Sequence, residues 1–332
     1  LIRFGILGFG LHAVKRLMPG FALAHNCRVT ALSRRSSEKA QESARQYNIP
    51  LAFDSAEALC RSPEVDAVLV TTPNACHLAD VLLAIRCGKP VLCEKPMGVH
   101  SDECRQMVEA ARAARLLLGV AQVFRFEEST ARLRERLAAG AVGKVIFARS
   151  EFSFPGGTRH ARGWLHDAAL AGGGPIADVG VHCVDALRYI LQDEVLRVSA
   201  RGQYGPGSVE SAAVLTLEFS RGALATVVVS FRAEYRTPLE FVGESGAMRA
   251  EDALNVERPI KIELRRGGAI VETDEVSNRL AYAKQVDAFA DALQGKAKFP
   301  VPGEEGWQNQ EILDASYRSL QSGKTEDVAR VS

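Results

Sequence analysis

The sequence predicts an α/β, doubly wound parallel sheet followed by an α+β domain with an open-faced, mainly antiparallel sheet. Three observations carry this. In the first half, short apolar strands alternate with helical stretches, as βαβ units require. After Gln122 the rhythm changes and strand follows strand with only turns between, which is how antiparallel sheets are wired. The strand at 223–231 is apolar on both alternating faces, so one face meets the core and something else must cover the other. The expected domains are 1–122 and 123–332.

Bulk properties narrow the function before any motif is read. A chain of 332 residues suits two domains. Apolar residues make up 47% and charged residues 24%, which fits a folded protein rather than a disordered one. No run is long enough to cross a bilayer, so no membrane partner is expected. A net charge of +1 without a basic block gives nucleic acid nothing to grip. The expected ligand is therefore a small molecule. Seven cysteines with no C-x-x-C pair read as reduced core thiols of a cytoplasmic protein. The first residues already read as a strand, so no signal peptide is expected within the sequence shown.

Taken in order, the strand Leu1-Ile2-Arg3-Phe4-Gly5-Ile6-Leu7 runs into Gly8-Phe9-Gly10-Leu11-His12-Ala13 and then a helix. In this G-x-G-x-x-A pattern the first glycine permits a tight turn and the second lets backbone approach a pyrophosphate. The small third residue lets helix and strand pack closely. The second strand, 28–32, ends at Ser33-Arg34-Arg35. An acid that would bind a ribose 2′-hydroxyl is missing there, and two guanidinium groups suit a 2′-phosphate, so NADP is expected over NAD. A buried strand at 65–70 exits at Thr71-Thr72-Pro73-Asn74, with His77 in the next helix. These polar groups either line the nicotinamide ribose or cap that helix. The run Val91-Leu92 delivers Cys93-Glu94-Lys95-Pro96 to the carboxyl edge of the sheet, where ligands of such sheets bind. A helix at 101–114 and a strand at 116–120 complete the series and lead to Gln122.

In the second half, a helix at 127–139 closes at Gly140, and strands follow at 144–152 and from 196 to 274. Between them lies Gly172-Gly173-Gly174-Pro175, whose glycines allow close backbone approach to a ligand and whose proline suits a first helical position. In the helix that follows, Asp178, His182 and Asp185 are spaced i, i+4, i+7 and share one face. A metal is not expected, because two ligand types on one helix do not make a set. A core histidine satisfied by aspartate is the plainer alternative to a catalytic one. Oxidising a secondary alcohol needs a hydride acceptor and a base for the hydroxyl proton. A histidine can be that base, a lysine ammonium can stabilise the oxygen's developing charge, and an aspartate can orient substrate or imidazole. His182, Lys95 and Asp178 fit these roles.

Together, Gly8 through Ala13, Thr72-Pro73-Asn74 with His77, Glu94-Lys95-Pro96, Gly140-x-x-Gly143, and Gly172 through Asp178-x-x-x-His182 resemble the glucose–fructose oxidoreductase, inositol dehydrogenase and rhizopine-catabolism (Gfo/Idh/MocA) family. The likeness extends to Gln285-Val286-Asp287-Ala288-Phe289 and Tyr317-Arg318-Ser319. It implies a Rossmann domain, a second domain that makes homodimers or homotetramers through its sheet, and a cis Lys95-Pro96 bond. It also implies a catalytic set of Lys95, Asp178 and His182 acting on a sugar, inositol or related polyol. The expected cofactor contacts are Gly8, Phe9, Gly10, Leu11, His12, Ser33, Arg34, Arg35, Thr71, Thr72, Asn74, His77, Glu94, Lys95 and Gln122. Trp164-Leu165-His166-Asp167-Ala168 lacks the family's Trp-Arg and Asp-Pro, which puts that arginine's contacts in doubt. His160, Arg162, Trp164 and Tyr235 are candidates for substrate contact, with a solvated loop as the alternative for the first three. A dinucleotide-binding sensor, or a redox-neutral enzyme that keeps its cofactor, remains open beside the oxidoreductase.

Overall fold

Six short aliphatic strands form the first sheet of the computed structural model, which describes residues 1–156, 163–205 and 208–331. They are β1 (Ile2–Leu7), β2 (Cys27–Ser33), β3 (Leu51–Phe53), β4 (Ala67–Val70), β5 (Val91–Cys93) and β6 (Leu118–Val120). Their order is β3-β2-β1-β4-β5-β6, with every pairing parallel. Parallel strands are covered by helices on both faces, which is why β4 and β5 are apolar throughout and fully buried. The order reverses between β1 and β4, so the loops leaving these strands meet at the switch point of the sheet.

The chain divides into two units, Leu1–Ala121 with Tyr282–Trp307, and Gln122–Ala281 with Gln308–Ser332. The first unit thus includes a return segment that a linear boundary at 122/123 leaves out. Its rings explain the grouping. Phe289 and Phe299 meet edge to face at 5.2 Å, and a Cβ on Gly119 would lie 2.5 Å from the Phe299 ring. The Val120 N–H donates to the Val301 carbonyl at 2.9 Å.

The second unit holds nine strands: β7 (Val145–Ser153), β8 (Val195–Tyr204), β9 (Glu210–Phe219), β10 (Leu224–Ser230), β11 (Leu239–Gly243), β12 (Gly246–Ala250), β13 (Pro259–Arg266), β14 (Ala269–Ser277) and β15 (Glu326–Asp327). Their order is β14-β13-β12-β11-β7-β10-β9-β8-β15. All pairs are antiparallel except β7 with β10. That exception follows from the helical crossover between β7 and β8, since a parallel neighbour needs a long connection. On β10, Ala225, Val227 and Val229 are buried, and Val229 faces Gly180 of the crossover helix. The other face keeps Phe147 (54% exposed), Val214 (45%) and Leu224 (42%) open to solvent. No helix among the described residues covers them, so the sheet is open-faced.

Among the described residues no helix is long and apolar enough to cross a membrane. All seven cysteines are free thiols. Burial pushes Cys60 and Cys183 up to about 12.

Candidate functional site

In the first unit, the loop after β1 is shaped by its two glycines in different ways. Gly8 has φ +79°, and a Cβ there would come within 2.9 Å of the Thr72 backbone, so no side chain can replace it. At Gly10 a Cβ would meet only the Gly8 carbonyl, at 3.5 Å. The chain's own packing does not demand a glycine there, and the space beside it fits a ligand that needs close backbone approach. Phe9 is engaged elsewhere. Its ring is buried 5.5 Å from that of Tyr47, and its N–H donates to the Ser33 carbonyl. Phe9 therefore supports the loop from the core, while Leu11 and His12 are half-buried. Beyond β2, Arg34 donates from Nη1 to the Ser43 hydroxyl at 2.8 Å, and Arg35 is exposed.

The turn after β4 braces this loop. Thr71 Oγ1 lies 2.9 Å from both the Leu7 and Gly8 carbonyls, and Thr72 Oγ1 donates to Asp80 at 2.7 Å. Asn74 is buried. His77 is buried with Nδ1 3.0 Å from the Pro96 carbonyl and Nε2 2.9 Å from that of Thr72. Burial pushes its pKa below that of an ordinary imidazole, and the neutral ring has one N–H, which donates to one of these two carbonyls. His77 is thus a strut between the β4 and β5 exits.

At the β5 exit the Lys95–Pro96 bond is cis, as the resemblance implies. Lys95 is half-buried rather than pointing freely to solvent. Glu94 is 8% exposed; its Oε1 lies 2.9 Å from His12 Nε2, and its Oε2 accepts the Lys95 N–H at 3.3 Å. Burial pushes this carboxyl up, but the charges and hydrogen bonds of His12 and Lys95 outweigh it and leave the pKa below the usual range. Gln122, following β6, is 1% exposed, and neither atom of its amide finds a hydrogen-bond partner. An unsatisfied buried amide costs about 1–3 kcal/mol, which a bound ligand would relieve. The open cradle at Gly10 fits a dinucleotide.

The second unit builds its cluster on a helix that starts with a π turn, Ile176–Gly180, and continues as Val181–Leu191. The predicted stripe is present, with Asp178, His182 and Asp185 all buried, but its members differ. Asp185 is held by Arg125 through two contacts of 2.9 and 2.7 Å and by Asn309 at 2.8 Å. The His182 ring lies 4.3 Å from that of Phe124 and 6.1 Å from that of Phe152, stacked at 26°. Tyr235 meets Phe152 edge to face at 6.3 Å, which brings this predicted residue to the same cluster. Trp164 is half-buried in the short turn Gly163–His166, while His160 and Arg162 lie outside the described residues. The sequence reading missed Phe124 and Phe152. The F-R-F stretch gave a weak signal for the first; the second is an ordinary strand residue.

The glycine run needs correcting. In sequence the run suits close approach to a ligand, but a Cβ on Gly173 would lie 1.8 Å from the Tyr317 hydroxyl, and one on Gly174 2.0 Å from the Glu210 carbonyl. The Gly174 and Ile176 N–H groups donate to the Glu210 carboxylate at 3.0 Å, and Tyr317 donates to it at 3.1 Å. These glycines exist so that β9 and the last helix can pack onto the start of the site helix. Gly174→Ala should destabilise the fold by about 3 kcal/mol, because backbone must move. Gly10→Ala should leave stability within about 0.5 kcal/mol, the range of a substitution that creates no clash, and weaken dinucleotide binding. Denaturant unfolding with a parallel cofactor titration checks both.

A doubly wound sheet with a glycine cradle at its switch point, followed by a unit that sets a histidine on aromatic rings, defines an NAD(P)-dependent oxidoreductase. Residues 2–122 match the oxidoreductase family with the NAD-binding Rossmann fold, and residues 130–249 match the GFO/IDH/MocA C-terminal domain. The chain belongs to the GFO/IDH/MocA oxidoreductase family. It is 30% identical to a 1,5-anhydro-D-fructose reductase of Ensifer adhaerens over 92% of both proteins. It is 31% identical to an NADP(+) D-xylose 1-dehydrogenase of Haloferax volcanii over 96% of this chain and 98% of that one. The aldose–aldose oxidoreductase of Caulobacter crescentus, solved with glycerol, superposes with a TM-score of 0.90 at 26% identity, covering 98% and 99% of the two chains.

Proposed function

We propose that this protein is an NADP-dependent oxidoreductase that moves a hydride between the nicotinamide and a hydroxyl or carbonyl carbon of a sugar, inositol or related polyol. The observation that carries this reading is the His182 imidazole set against Phe124 and Phe152, with Tyr235 meeting Phe152. Aromatic walls suit the C–H face of a sugar ring, and an imidazole beside them can exchange the proton of a ring hydroxyl. The names of the three relatives above, all of which act on sugars or their derivatives, support the same substrate class. When bound, the dinucleotide supplies the hydride acceptor or donor. The chain supplies the rest: Lys95 stabilises charge developing on the substrate oxygen, His182 takes or gives the proton, and Asp178 orients substrate or imidazole.

Arg34 and Arg35 at the β2 exit favour NADP, because guanidinium groups pair well with a 2′-phosphate. The open apolar face of Phe147, Val214 and Leu224 favours a homodimer or homotetramer built through the second sheet.

Initial rates with NADPH, NADH and their oxidised forms, over aldoses, ketoses, anhydro sugars, inositols and dihydrodiols, test the proposal. Turnover of one class, better with the phosphorylated cofactor, is expected. Arg34→Ala/Arg35→Ala should then weaken NADPH binding about tenfold or more, since charge-assisted bonds to phosphate are lost, and leave NADH nearly unchanged. Bound cofactor without net turnover on any class would instead support a redox-neutral enzyme.

A further inference from the structure

His12 sits inside the glycine loop, yet its imidazole is turned to the lysine turn: Nε2 lies 2.9 Å from Glu94 Oε1. We infer that His12 is a positioning residue for Lys95, holding the Glu94 carboxylate that in turn holds the Lys95 backbone N–H. This rests on the catalytic role proposed for Lys95 and goes beyond it, because it makes the glycine loop part of the apparatus that sets the lysine.

The physical case begins with Glu94. A carboxylate only 8% exposed needs hydrogen-bond donors, and among the described residues they come from His12 and from the Lys95 N–H. His12 is itself held on its other side by Tyr282, whose ring meets the imidazole edge-on at 6.1 Å. Tyr282 in turn packs so closely on Gly20 that a Cβ there would lie 2.6 Å away. Immediately after Lys95, the Pro96 carbonyl lies 3.0 Å from His77. The lysine is therefore bracketed in sequence: His12 holds the residue before it through Glu94, and the His77 ring rests against the carbonyl of the residue after it. A side chain aimed from a turn pinned at both ends loses less freedom when it meets substrate, which is what orientation contributes to a rate.

Kinetics and cofactor titrations on four variants test this: His12→Leu, which removes the donor, His12→Gln, which keeps one, Glu94→Gln, and His12→Leu/Glu94→Gln. His12→Leu should lower kcat about 30-fold, the scale of a small misplacement of a catalytic group, with the cofactor Kd changed less than about threefold. His12→Gln should recover most of that loss. The double variant should be no slower than the worse single one, because coupled partners are not additive. Multiplicative losses, a His12→Gln variant no better than His12→Leu, or an effect confined to the cofactor Kd would each overturn the inference. Should His12→Leu fail to fold, His12→Ala, which also removes the donor, takes its place in the cycle with Glu94→Gln. Lys95→Ala separates the two readings. An active Lys95→Ala enzyme removes the lysine assignment itself, whereas an inactive one beside a fully active His12→Leu removes only the role of His12.

Discussion

Lys95→Ala is expected to lower kcat by about three orders of magnitude, within the range that positioned acid–base and oxyanion groups supply, while the dinucleotide still binds. The expectation rests on where the lysine is placed. It leaves β5 at the carboxyl edge of the parallel sheet, half-buried, next to a carboxylate that His12 and the lysine's own N–H hold. His182→Ala should cost a similar factor, since without the imidazole the hydroxyl proton has only water to go to. Asp178→Asn should cost less, because an orienting group can be partly replaced by an amide. Steady-state rates with saturating cofactor, together with fluorescence titration of NADPH, read these effects. A Lys95→Ala enzyme that turns over at the wild-type rate would remove the lysine from the mechanism, and one that no longer binds cofactor would make it a binding residue.

The fold was legible because its signals are local. Strands of the first sheet are buried on both faces, so they read as unbroken apolar runs, and a glycine loop between strand and helix marks the switch point. The parallel pairing of β7 with β10 was not legible, since it depends on which strand a helical crossover returns beside. Within the site, residue types that can do chemistry stand out, but their partners do not. Phe9 reads as a loop residue, yet its ring belongs to the core beside Tyr47, a contact made by a helix well downstream. His77 reads as either a ribose contact or part of a helix cap, and both of its ring nitrogens face backbone carbonyls. Gly173 and Gly174 look like a ligand cradle, but what they accommodate is Tyr317 and Glu210, over a hundred residues on for the former. Glycine demanded by a neighbouring side chain and glycine demanded by a ligand look identical in sequence, and only the occupied space tells them apart.

The stripe Asp178, His182, Asp185 shows the same limit and gives the second large effect. Asp185→Ala should destabilise the protein by about 3–5 kcal/mol, the cost of stranding a buried partner charge, while the enzyme that does fold keeps a kcat within a few-fold of wild type. Asp185 is 1% exposed and Arg125 8%, and the two are joined at 2.7 and 2.9 Å. Asn309 donates to Asp185 at 2.8 Å and accepts from Arg188 at 2.7 Å, and Arg188 also reaches Glu194 at 2.8 Å. The Arg125 guanidinium also lies 5.5 Å from the centre of the Tyr189 ring, a contact weaker than a buried ion pair. The paired change Arg125→Met/Asp185→Leu should recover much of the loss, because replacing both ions with apolar groups avoids the desolvation that made the pair costly. Urea unfolding with rates normalised to folded enzyme separates stability from chemistry. An Asp185→Ala enzyme that is as stable as wild type but inactive would exchange the roles assigned to Asp185 and Asp178, two carboxylates that helical spacing alone places on the same face.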